Sequence, residues 1–287
     1  MTLMGAIGCG LVSFGPVGIL FFLIVAGDPL QVILFTLSSF FWLLGLLVSS
    51  VIWFAVVPLR EHLAFGLVVA CLVQELMRFL FYLLISFSEA GLHKIAEYEA
   101  REASCSNSTG EPNTGVRIVN SSDDVHGSIF NNRKLAFSSG LSFALMGGIF
   151  EYIYILYDVI GPATLFEGTN PGYFFIFAAL NSCFMGLMQI SWSVILFRSF
   201  HLRLYFEIVV ICLCHVAVSS LTLLNEWPYP APEMVCITLA ITSIGFFVYA
   251  FFAAGCRWPS RAHSHPMRTN PVVILDPTVQ TVHTAIS

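Results

Sequence analysis

Residues 135–160 read LAFSSGLSFALMGGIFEYIYILYDVI, a stretch long enough to cross a bilayer as a single helix. At 100° per residue, Gly140, Ala144, Gly147 and Gly148 fall in one stripe, which Glu151 and Asp158 continue. Ser142 points roughly the opposite way. Lipid tails are as apolar as leucine, so membrane helices associate where small residues let their backbones approach. Two carboxylates on the same stripe avoid lipid. The stripe is therefore expected to be a helix-packing face buried against other helices.

The rest of the 287-residue chain agrees with a membrane setting: 57% of it is hydrophobic and 10% charged, with mean hydropathy +0.84. A soluble domain would carry about 25% charged residues. Apolar runs of spanning length occur at about 3–26, 30–57, 63–87, 135–160, 173–197, 204–224 and 234–255. The predicted fold is an all-α, seven-transmembrane helix bundle over 1–255. No basic region precedes the first run, so it reads as an uncleaved span, with a kink expected at Gly15-Pro16. Gly27-Asp28-Pro29 turns the chain into the second run. Residues 88–134 are rich in Ser, Asn, Asp and Gly and are expected to form a flexible loop, apart from a helical extension to Glu102. The tail, 256–287, is expected to be disordered.

Seven spans divide the cations sharply. Lys94, Arg101, Arg117, Arg133, Lys134, Arg198, Arg203, Arg257, Arg261 and Arg268 share one side, and Arg60 stands alone on the other. By the positive-inside rule the N-terminus is lumenal or extracellular and the C-terminus cytosolic. The sequons at Asn107 and Asn120 then lie on the cytosolic side and are expected to stay unmodified. No basic patch suits nucleic acid, no cysteine lies in a lumenal loop, and no His/Cys spacing suits a metal. No cofactor is expected.

Several polar groups sit at membrane depth. Gln74, Glu75 and Arg78 share a face of the third span, and Glu75 with Arg78 has the i,i+3 spacing of an ion pair. In the fifth span Ala178, Ser182, Gly186, Gln189 and Ser193 share a face; in the sixth, His215, Ser219 and Thr222 do, with Cys212 at the edge. His215 is expected to hydrogen-bond to the fifth span through Gln189 or Ser193.

These segments, taken in order, resemble the anterior pharynx-defective subunit of γ-secretase. The resemblance is carried by Phe14-Gly15-Pro16, the Asp28-Pro29 turn, FFWLLGLLVSSVIW at 40–53 and QELMR at 74–78. It continues through the stripe of 140–148, Asp158 with Gly161-Pro162, and His215 followed by the run to Asn225. It implies a non-catalytic scaffold of an intramembrane aspartyl protease that cleaves stubs of type I membrane proteins such as Notch-like and amyloid-precursor-like chains. The implied partners are nicastrin, presenilin (which carries the catalytic aspartates) and the presenilin enhancer subunit, within membrane lipid. The implied location is the endoplasmic reticulum, Golgi and plasma membrane. The family's small-residue motif maps to Gly140, Ala144 and Gly148, with Ala where the middle Gly is usual, a methyl expected to loosen packing. His215 matches the second of two membrane histidines, whereas Gln189 stands at the first. Gln cannot take up a proton in this range, which favours a hydrogen-bonding role over a protonation-based one. Glu151 has no counterpart in the resemblance.

Other classes fit less well. A rhomboid-like serine protease would use Ser142 on the fourth span and His215 on the sixth, but Ser142 points away from the small and acidic stripe. A presenilin-like aspartyl protease would need a GxGD motif besides Asp158, and none is present. A seven-helix receptor would show DRY and NPxxY motifs, and a transporter an inverted repeat. The sequence has none of these.

Overall fold

In the computed structural model the described residues are 3–59, 62–107, 132–160, 171–226 and 230–255. They contain seven α-helices and no strand: α1 Leu3–Leu20, α2 Pro29–Ala55, α3 Leu63–Asn107, α4 Asn132–Ile160, α5 Pro171–Leu202, α6 Tyr205–Leu221 and α7 Ala231–Gly255. Over their described residues, six of them, α1–α3 and α5–α7, are long and apolar enough to cross a membrane. The molecule is an all-helical membrane protein.

Local chemistry sets the boundaries. Pro16 lies inside α1, and the ladder widens not there but at Phe21–Val25, a π-turn closed by Ala26 N–H to Phe21 O at 3.0 Å. Asp28 caps α2: its carboxylate accepts from Leu30 N–H at 3.1 Å while Pro29 starts the helix, where a missing N–H costs nothing. The turn between α5 and α6 is so short that Arg203 is held at φ 57°, in the left-handed region.

The helical extension expected into the 88–134 region is present and runs past Glu102. α3 runs through Phe87 and beyond Glu102 to Asn107, a 45-residue helix, and α4 begins at Asn132. After Phe87 the residues SEAGLHKIAEYEAREA are good helix formers, so the helix continues once it leaves the apolar run. The remainder of that expected loop and the tail from 256 lie outside the described residues.

Contacts along each interface reveal direction. Gly140 meets Ile190, Ala144 meets Gly186 and Gly148 meets Ser182, so α4 and α5 are antiparallel. Arg78 meets Gln189 and Tyr82 meets Phe197, so α3 runs parallel to α5. Ser13 with Ser182 and Val17 with Gly186 make α1 parallel to α5; Met188 with Thr242 and Trp192 with Phe246 do the same for α7. Trp53 over Gly66 and Met77 over Gly45 make α2 antiparallel to α3, and α6 opposes α5. Odd-numbered helices point one way and even-numbered ones the other. α5 is the most enclosed helix, and large apolar side chains such as Phe22, Leu47, Phe206 and Phe251 face outward. That outward apolar shell is what hydrocarbon requires.

Candidate functional site

The deepest polar cluster joins α3, α5 and α6. Glu75 and Arg78, one turn apart on α3, pair as their spacing allows: Arg78 Nη1 donates to Glu75 Oε1 at 3.1 Å and Oε2 at 3.2 Å. Arg78 Nη2 donates to Gln189 Oε1 on α5. The Gln189 amide nitrogen faces His215 Nε2 at 3.4 Å, and His215 Nδ1 lies 2.6 Å from Glu75 Oε1. Four side chains thus close a ring, Glu75–Arg78–Gln189–His215, and all are buried.

Aromatic walls complete it. The Arg78 guanidinium lies 4.5 Å from the centre of the Phe143 ring on α4, and the Trp192 ring lies against His215 at 4.7 Å, tilted by 40°. The ring cancels the formal charge of Glu75 against Arg78 and leaves His215 engaged at both nitrogens. Such an arrangement fixes three helices at one depth. It offers no free base.

Other expected residues fall elsewhere. Gln74 is half-buried and does not join the ring; its Cα lies toward Gly45 of α2. Glu151, expected to be buried with the stripe, is exposed. One turn earlier, the Trp42 indole covers Gly147 and tilts against Phe150 at 5.2 Å. The side chain of Asp158 lies outside the described residues.

The small-residue stripe is an interface, but its members differ. A Cβ on Gly140 would sit 2.8 Å from Ile190 Cα and from Ser193 Cβ, so the α4 and α5 backbones touch there. At Gly148 the nearest atom is Phe14 Cε1 at 3.1 Å, and at Gly147 it is Trp42 Cζ2 at 4.0 Å. Ala144 was expected to loosen the packing. Its methyl instead faces Gly186, where an added Cβ would still stand 3.8 Å away, so the small residue on the facing helix absorbs it.

Ser142 is off the stripe as expected, yet fully buried, because α2 covers the other side of α4. Ser138 Oγ donates to Gln31 O at 3.2 Å, and Ser38 and Ser139 hydroxyls meet at 3.0 Å. Ser142 Oγ has no hydrogen-bond partner, and His215 is committed to Glu75 and Gln189. A Ser142–His215 dyad is not formed. Among the described residues no group of His, Cys, Asp or Glu suits a metal ion, and Cys9, Cys71, Cys183, Cys212, Cys214 and Cys236 are free thiols.

Sequence reasoning missed the α2–α4 serine contacts and the tie at the α5–α6 turn. In that tie Glu207 accepts from Ser199 Oγ at 2.6 Å and Tyr249 OH at 2.9 Å, with Arg198 at 3.7 Å. The signal was present in the serines at 138, 139 and 142, whose spread around α4 means that more than one face is covered.

The family model described as Aph-1 protein matches residues 4–257. The chain is 34% identical over 258 residues to "Gamma-secretase subunit Aph-1" of Drosophila melanogaster, covering 89% of this chain and 94% of that protein. It is 30% identical over 273 residues to "Gamma-secretase subunit APH-1B" of Mus musculus, covering 90% and 92%. A protein of Arabidopsis thaliana, "Gamma-secretase subunit APH1-like", is 23% identical over 230 residues, covering 78% and 83%. With that match spanning all seven helices, this chain belongs to the Aph-1 family.

Proposed function

We propose that this chain is a non-catalytic subunit of the γ-secretase intramembrane aspartyl protease, a scaffold that holds nicastrin and presenilin, with the presenilin enhancer subunit completing the complex. Family membership and the relatives' names support the complex. The single observation that carries the non-catalytic role is the closed ring: the one buried imidazole among the described residues is saturated by Glu75 and Gln189. Its chemistry is therefore directed at other helices of the same chain.

All seven helices cross the bilayer in this reading, with the N-terminus lumenal and the C-terminus cytosolic. The alternating helix directions and the ten cations against one support it. α4 crosses with α1, α2 and α5 packed around it. The complex resides in the endoplasmic reticulum, Golgi and plasma membrane and acts on stubs of type I membrane proteins.

The test is affinity purification of the full-length chain in mild detergent, with identification of what co-purifies. Nicastrin and presenilin in stoichiometric amounts are expected; their absence from a folded, membrane-inserted preparation overturns the proposal.

A further inference from the structure

We propose that Gln189 is a positioning residue that holds His215 as a neutral imidazole with its proton on Nδ1, so that the ring carries no net charge inside the membrane. Hydrogen-bond direction in the ring sets this tautomer, whatever complex the chain joins. Arg78 has donors only, so the Gln189 atom facing Arg78 Nη2 is the amide oxygen. The other end of the amide, which faces His215, is then the NH2, again a donor. His215 Nε2 must supply the lone pair. Its single proton therefore sits on Nδ1, where Glu75 Oε1 accepts it at 2.6 Å.

An imidazolium would break this pattern. Its Nε2–H would point at the hydrogens of Gln189, and turning the amide over would point those hydrogens at Arg78. Beyond Glu75, the acceptor that the described residues offer the imidazole is the Cys71 thiol, a weak one. α3 presents Cys71, Glu75 and Arg78, of which the Cys71 thiol hydrogen-bonds the same imidazole and Glu75 is paired with Arg78. α5 presents Gln189 and Trp192, neither of which titrates, and the neighbouring thiol on α6 is Cys212. Glu75 and Arg78 already cancel, so an added proton would leave one net charge at membrane depth, which is disfavoured there. A histidine at 189 could also pass the hydrogen bonds around the ring, but it could take up a proton. Glutamine cannot, which makes the ring insensitive to pH over the range where histidine normally titrates.

The full-length chain, labelled with 15N-histidine and reconstituted in lipid bilayers, is measured by solid-state NMR. The His215 signals are identified by their loss in His215→Asn. The expected signature is one protonated nitrogen, Nδ1, and one unprotonated nitrogen, Nε2, unchanged between about pH 5 and pH 8. An imidazolium signature in that range, or a proton on Nε2, overturns the proposal. Gln189→Glu presents an acceptor to Nε2 and is expected to convert His215 to imidazolium; a neutral ring in a folded Gln189→Glu variant also overturns it. If that variant does not fold, the tautomer in the unmodified chain decides alone.

Discussion

A methyl group at position 140 would sit 2.8 Å from Ile190 Cα, closer than carbon atoms approach, whereas at 147 the nearest atom is 4.0 Å away. Gly140→Ala must therefore push α4 and α5 apart, at about 1–3 kcal/mol. Gly147→Ala should change thermal stability in detergent by less than about 0.5 kcal/mol. Equal melting temperatures for the two variants would contradict the close approach at 140. Arg203 poses the opposite case. Its φ of 57° suits glycine, so Arg203→Gly should stabilise the α5–α6 turn by about 1 kcal/mol, read as a raised unfolding temperature. The stripe was legible from spacing alone, because small residues at helical period have one common use in lipid. Which glycine is indispensable was not, since that depends on whether backbone or a movable side chain lies opposite.

Between helices, the ring behaves as a unit. Removing Arg78 leaves Glu75 buried without its cation and Gln189 Oε1 without its donor, so Arg78→Gln should cost about 3–5 kcal/mol. The double variant Glu75→Gln, Arg78→Gln removes both charges and should cost less than Arg78→Gln alone, seen in thermal unfolding of the purified chain. A double variant worse than the single one would mean that the pair is not coupled. Glu207 ties α5, α6 and α7 at the tight turn, and Glu207→Ala should cost about 1–3 kcal/mol and speed amide exchange at both helix ends. The i,i+3 pair in α3 and a Gln189–His215 contact could be read from helical periodicity. That the two join into one ring could not, because only the parallel run of α3 and α5 brings residues 78 and 189 to the same depth.

At the scale of the molecule, all seven helices announce themselves in the sequence as apolar runs of spanning length. What those runs do not show is how the helices pack, such as the cover of α4 by α1, α2 and α5. Periodicity assigns a face but not how far along the helix the neighbours cover it, and at Glu151 the side chain is open at the surface of this chain. If the account is right, the whole bundle contributes position and its buried groups serve one another. His215→Asn can keep one of the ring's two hydrogen bonds, while His215→Leu leaves both Glu75 and Gln189 unanswered. Ser142 touches no polar group, so its loss removes no bond. The most direct measurement is cleavage of a type I membrane stub by the reconstituted complex, divided by the presenilin recovered with this chain, for Ser142→Ala, His215→Asn and His215→Leu. The account predicts recovery falling in the order Ser142→Ala, His215→Asn, His215→Leu, with cleavage per recovered complex unchanged throughout. A fully assembled complex that has lost cleavage in Ser142→Ala or His215→Asn would contradict it.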